Sequence, residues 1–183
     1  MANKMFILVG TAPLAVVNSI TWHLKNHETL HQSEIYFCVT EGDEKKNAVG
    51  SKTGLNEIFN YLESYKEYFD FLKKKELKII KEPIIISEFN LSKNIGILVR
   101  EITRLVKKED IIYLEATAGR KIMVSSLVLT GTALQKKGYT IKLLYYWLKE
   151  FRTDLINKKA YDLYNDEAES LLYDLKELFS EIE

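Results

Sequence analysis

Several things are scarce or missing in this chain. Cysteine occurs once in 183 residues; Cys38 lies inside a strand-like run and reads as a small buried residue, not as part of a disulfide framework. Proline occurs twice, at Pro13 and Pro83. Excess charge is missing: 26 Lys and Arg stand against 26 Asp and Glu. The chain therefore lacks the global positive field of a duplex-DNA binder, and any nucleic-acid contact must come from a local site. No apolar run approaches the roughly 18 residues of a membrane span, and the first one, Met5 to Val9, is too short for a signal peptide. These absences lead to the expectation of an intracellular, cytoplasmic protein without a membrane partner. Internal repeats, low-complexity tracts and linkers are missing as well, so a single domain is expected.

What is present alternates between strand and helix patterns. Lys4 to Val9 is apolar and closes on Gly10, as a central strand would. Gly10-Thr11-Ala12-Pro13 is a turn with Pro13 at the first helical position, followed by Leu14, Val17, Ile20 and Leu24 at helical spacing. Ser33 to Thr40 reads as a second strand. Glu41 to Gly54 is polar and glycine-dotted, either a mobile loop at a strand's carboxyl end or a solvated connection. Leu55 to Lys75 reads as one long helix. Leu77 to Ile80 and Ile84 to Ile86 flank Pro83 as short β pieces or one bent strand. A helix capped by Asn90 or Ser92 runs to Lys108. Asp110 to Leu114 is a β-branched run of the buried parallel type, and Ile122 to Leu134 a packed helix. Tyr139 to Leu148 is the last clear strand, and Tyr161 to Glu183 reads as an acidic amphipathic helix. Such alternation specifies an α/β, Rossmann-like fold: a mainly parallel sheet with helices on both faces, residues 1–148, with 149–183 packed on it as a connection and helix.

The chemistry concentrates at Glu115-Ala116-Thr117-Ala118-Gly119-Arg120-Lys121-Ile122-Met123, a strand end, a glycine-bearing turn and a helix start. A helix N-terminus favours anions, and two cations in its first turn oppose the usual preference for acids there. That conflict points to a bound anion, phosphate in particular, unless Arg120 and Lys121 are simply solvated. The turn after the first strand lacks the further glycines of a dinucleotide fingerprint, and Gly119-Arg120-Lys121-Ile122 lacks the spacing and the Ser/Thr of a P-loop. If their strands are neighbours, the Gly10–Pro13 and Thr117–Lys121 turns flank one crevice at the sheet's switch point. Their amides, hydroxyls and cations suit a phosphodiester better than a carboxylate. Asn18 and Ser19 are close enough to face that crevice. His23, His27 and His31 read as exposed helix histidines without a third ligand to make a metal site. Glu115 reads as an orienting or hydrogen-bonded structural carboxylate, with general base as the alternative.

These two turns resemble the ligand loops of the CRISPR-associated Rossmann-fold (CARF) family, whose domains sense cyclic oligoadenylates. Gly10-Thr11-Ala12-Pro13 and the helix through Asn18 are similar to the first loop. Ala116 to Met123 is similar to the second, with Ala118 where the family often has the first of two glycines. The resemblance covers roughly residues 4 to 148. It implies a homodimer in which both copies of Gly10, Thr11, Ala12, Pro13, Asn18, Thr117, Ala118, Gly119, Arg120 and Lys121 ring one cyclic RNA, with tetra-adenylate the expected size. The small, apolar Val124 to Gly131 run then packs at that interface or in the core. The tail shows no His/Arg/Asn ribonuclease signature and is acidic, unlike a winged helix. The resemblance thus implies a stand-alone, metal-independent and cofactor-free ring nuclease. A ribose 2′-OH attacks the adjacent phosphate, Lys121 and Arg120 stabilise the charge, and Thr11 positions the ribose. The alternatives are a non-catalytic sensor that relays the signal to an unidentified effector partner or sequesters it, and an unrelated small-molecule-binding α/β protein.

Overall fold

The computed structural model describes residues 1–43, 48–150 and 153–180. Its centre is the strand β1 (Asn3–Leu8), whose residues alternate between two cores because side chains alternate across a strand. Met5 and Ile7 face one helical layer, and Phe6 and Leu8 face the other. The chain then forms α1 (Pro13–Asn26), β2 (Ser33–Thr40), a two-residue hairpin of β3 (Gly42–Asp43) and β4 (Ala48–Val49), and α2 (Leu55–Tyr65). β5 (Lys78–Ile79), β6 (Ile84–Ile86), α3 (Leu91–Leu105), β7 (Ile111–Glu115), α4 (Lys121–Lys136) and β8 (Thr140–Leu148) follow. The last elements are α5 (Thr153–Ile156), β9 (Ala168–Asp174) and α6 (Leu175–Ser180).

The main sheet runs β5-β2-β1-β7-β8-β9, with β6 also paired to β2. All pairings in it are parallel except β8 with β9. From β1 the chain winds outward to β2, and from β7 it winds the opposite way to β8. Right-handed crossovers then put α1 and α4 on opposite faces, and the two cores confirm it: Val16, Val17 and Ile20 lie in one, Met123, Leu127 and Leu134 in the other. The Rossmann-like, doubly covered sheet expected from the alternation is the observed architecture. No helix among the described residues is long and apolar enough to cross a membrane.

Two elements depart from the sequence reading, and a third decides between the alternatives it left at Pro83. The helix expected over Leu55–Lys75 stops at Tyr65, and a short 3₁₀ turn at Asp70–Lys73 follows. There Phe71 turns back to stack on His31 at 5.2 Å. The β pieces around Pro83 are two separate strands that dock at different heights on β2. The helix expected over Tyr161–Glu183 is largely replaced by β9, an antiparallel strand running from Leu148↔Ala168 to Lys142↔Asp174. Its sequence, Ala-Glu-Ser-Leu-Leu-Tyr-Asp, has a weak strand composition. The open edge of β8 supplies the pairing that its own propensity does not.

Two predictions follow from the packing. A Cβ on Gly131 would lie 2.7 Å from Leu114 Cδ1, which makes glycine the residue that lets α4 close on β7. Leu114→Ala should cost roughly 2–5 kcal/mol. Adding Gly131→Ala to that variant should recover up to about 1 kcal/mol of helix propensity, whereas in the wild type the clash with Leu114 offsets that gain; denaturant unfolding of the four proteins measures the coupling. Across β1 and β2, Lys4 Nζ bonds Glu34 Oε2 at 2.5 Å and Tyr36 donates to the same carboxylate at 2.7 Å. These donors hold the Glu34 carboxyl down at about 2. A depressed carboxyl stabilises the fold above the ordinary glutamate range and loses that contribution as pH falls from about 4.5 towards 2. Glu34→Gln should flatten acid unfolding in that window, read by circular dichroism.

Candidate functional site

The ends of β1 and β7 are adjacent, so their following turns meet at the carboxyl edge of the sheet where its winding reverses. The meeting is tight. A Cβ on Gly10 would come within 1.9 Å of the Ala118 carbonyl oxygen, so only glycine allows the first turn to lie against the second. Gly119 is constrained in the same way from below, where a Cβ would approach Leu8 Cδ1 to 2.6 Å. The position at which glycine is dispensable is Ala118, which contributes its carbonyl to the contact and keeps its side chain.

The second turn is anchored to the sheet by its own polar groups. Thr117 N–H donates to Glu115 Oε1 at 3.0 Å, and the Thr117 hydroxyl accepts from Tyr146 N–H at 2.8 Å. Ala116 N–H donates to the Leu144 carbonyl at 3.1 Å. Glu115 is thus the orienting carboxylate that one reading of the sequence gave, and it is fully buried. On the far side, α4 begins without an acid in its first turn and without a side-chain cap from Arg120. Its first N–H groups and positive dipole end face the edge of the sheet. α1 likewise begins uncapped, with Pro13 in its first turn.

The sequence-predicted ligands separate into two sets. Thr11, Ala12, Arg120 and Lys121 are exposed, and Gly10, Pro13, Thr117, Ala118 and Gly119 form the floor around them. Asn18 is not part of this set. It is 3% exposed, its Nδ2 donating to the Lys158 carbonyl at 2.7 Å and its Oδ1 accepting from Tyr65 at 2.9 Å. Tyr65 in turn accepts from Ala160 N–H at 3.2 Å. Asn18 therefore fastens the stretch after α5 across α1 and α2, and Ser19 is equally buried, donating to the Val16 carbonyl. Neither faces the crevice. The two cations also differ. Arg120 forms an ion pair with the buried Glu88, whereas Lys121 has no ion pair among the described residues.

Glu88 was not singled out in the sequence. It belongs to the Ser87–Asn90 segment between β6 and α3, which Asn94 holds in place. Asn94 Oδ1 accepts from Ser87 N–H at 2.6 Å, and its Nδ2 donates to the Ser87 carbonyl at 2.7 Å and to Ser126 Oγ at 3.3 Å. Ser126 also donates to the Ile122 carbonyl at 2.6 Å, so the segment is tied to the first turns of α4. Beside it lies a cavity of about 230 Å³ lined by Thr40, Glu41, Glu88, Phe89, Lys93 and isoleucines of β6 and α3. Of the Glu41–Gly54 loop, residues 44–47 lie outside the described residues. Its base is fixed by reciprocal bonds between Thr40 and Ser51, at 3.0 and 3.1 Å.

The histidines are not exposed, contrary to expectation. His23 is fully buried, with Nδ1 2.5 Å from Ser170 Oγ and Nε2 3.6 Å from Glu115 Oε1. His27 Nε2 lies 2.9 Å from the same hydroxyl. Burial, and then the neighbouring His23, push the His27 pKa down. His31 accepts from Lys74 at Nδ1 and donates from Nε2 to the Leu24 carbonyl. For His23 and His27 the cause is β9, which carries Ser170 over α1 and covers a helix face that would otherwise be solvated; His31 is covered by Phe71.

Because Thr117 closes the β7 turn onto β8, Thr117→Val should leave the Tyr146 N–H unpaired at a cost of roughly 1–3 kcal/mol. Thr117→Ser should retain most of the stability; thermal unfolding of both variants tests the anchor.

Set beside known proteins, the chain matches no family model and no curated protein sequence.

Proposed function

We propose that the chain binds a cyclic oligoadenylate at the carboxyl edge of its sheet, as a member of the CARF family acting in a homodimer, and cleaves it as a metal-independent ring nuclease. The observation that carries this reading is the direct contact of the two turns that resemble that family's ligand loops, Gly10 against the Ala118 carbonyl. Two uncapped helix starts, the exposed Thr11 hydroxyl and Lys121 surround that contact. Amides and one cation arranged in this way fit the charge of a phosphodiester, and a two-fold axis would present two such sets to a ring.

In the reaction, a ribose 2′-oxygen attacks the adjacent phosphorus and the 5′-oxygen leaves. The products are a 2′,3′-cyclic phosphate end and a 5′-hydroxyl, and the proton lost from the 2′-OH balances the one gained by the leaving oxygen. Lys121 and the first-turn amides of α4 stabilise the extra negative charge of the transition state, and Thr11 orients the attacking ribose. A second reading, binding without cleavage, is favoured by one specific feature. Arg120 is already neutralised by Glu88, which leaves a single free cation among the described residues of the turn to serve the chemistry.

Incubation with radiolabelled cyclic tri-, tetra- and hexa-adenylate in EDTA separates the two readings. The nuclease yields linear products from one of the rings, and Lys121→Ala slows their formation by roughly 10²-fold or more. A ring that is bound and recovered intact establishes the sensor instead. Failure to bind any of the rings ends both readings, and a strictly monomeric elution in gel filtration removes the two-fold site.

A further inference from the structure

We infer that the cavity between the end of β2, β6 and the start of α3 is a nucleobase subsite, in which the Glu88 carboxylate accepts a hydrogen bond from the exocyclic amine of adenine. The inference rests on the phosphodiester reading of the neighbouring turns and adds to it the group that selects the base.

Glu88 is the reason. Its side chain is 4% exposed; Oε1 is paired with the Arg120 guanidinium, and Oε2 has no hydrogen-bond partner among the described residues. A buried carboxylate that served only to hold Arg120 would be expected to have its remaining lone pairs satisfied, because each unsatisfied one costs desolvation energy without return. The backbone around it is also fixed in advance. Asn94 brackets Ser87 on both its N–H and its carbonyl, Ser87 Oγ accepts from Phe89 N–H at 3.2 Å, and Asn90 caps α3 through Lys93 N–H at 2.9 Å. A carboxylate held on so rigid a segment, with Oε2 lacking a donor, is arranged for a donor that arrives from outside.

The cavity identifies the kind of donor. At about 230 Å³ it has room for one flat heterocycle rather than a whole nucleotide. Ile85, Ile86 and Ile97 give it apolar walls against which the faces of a flat ring pack. Both carboxylates that line it are already ion-paired, Glu41 with Lys52 and Glu88 with Arg120, so what Glu88 Oε2 still lacks is an N–H donor, which a neutral heterocycle bearing an amine supplies. Arg120 links the cavity to the second turn. One nucleotide can then lay its base against Glu88 while its phosphate lies at the start of α4.

Binding measured by isothermal titration tests this with two rings, cyclic tetra-adenylate and the matching ring of purine riboside, which carries hydrogen in place of the amine. The wild-type protein should bind the adenylate ring at least roughly tenfold more tightly, the scale of a hydrogen bond to a charged acceptor. Glu88→Met removes the acceptor at similar length and frees Arg120. That variant should bind the two rings within about threefold of each other while its affinity for both benefits from the released cation. Equal binding of the rings by the wild type overturns the inference, and this comparison decides even if the variant fails to fold. Persistence of the preference in Glu88→Met overturns it too. Binding of neither ring by the wild type overturns the phosphodiester reading and the base subsite with it, an outcome distinct from equal binding.

Discussion

The contact between Gly10 and the Ala118 carbonyl is the constraint on which the carboxyl edge depends. It exists because β1 and β7 are direct neighbours in register from Asn3↔Ile111 to Ile7↔Glu115, so both chains leave the sheet within a residue of the same height. With no side chain at position 10 the turns close on each other, and with none at position 119 the second turn settles on Leu8. Any Cβ at position 10 would have to displace backbone, not a flexible side-chain end. The geometry of the two helix starts is therefore set by the sheet itself.

Electrostatics then divides the edge into two compartments. Lys121 and the uncapped starts of α1 and α4 make one side suited to an anion. Glu88 Oε2, beside apolar walls, makes the other side suited to an N–H donor. Arg120 stands between them, its charge cancelled by Glu88. This partition explains why the paired cations Arg120 and Lys121, equivalent as letters in the sequence, are not equivalent in space.

Legibility in the sequence followed the range of the interactions. The parallel strands and their helices could be read because apolar periodicity and turn residues are local signals, whereas the adjacency of the two turns stayed conditional until β1 and β7 were seen to pair. Non-local partners were hidden. Asn18 looks like a ligand because it is polar near a turn, but its partners are Tyr65 and the carbonyl of Lys158, far away along the chain. Glu88 carries no motif, and its burial depends on Asn94 and Arg120 folding around it. His23, His27 and β9 share one cause: a strand of weak intrinsic preference becomes a strand only because β8 offers it an edge, and its arrival covers both histidines.

The central claim is that the anion-binding edge is built by the two touching turns. Backbone amide resonances followed by NMR during titration with cyclic tetra-adenylate test it most directly. The account predicts that the largest shifts fall on Gly10 to Ala12 and on Ala118 to Ile122, two segments far apart in sequence moving together with one saturation curve. Saturable shifts centred elsewhere in the fold, with these two turns unperturbed, would contradict it.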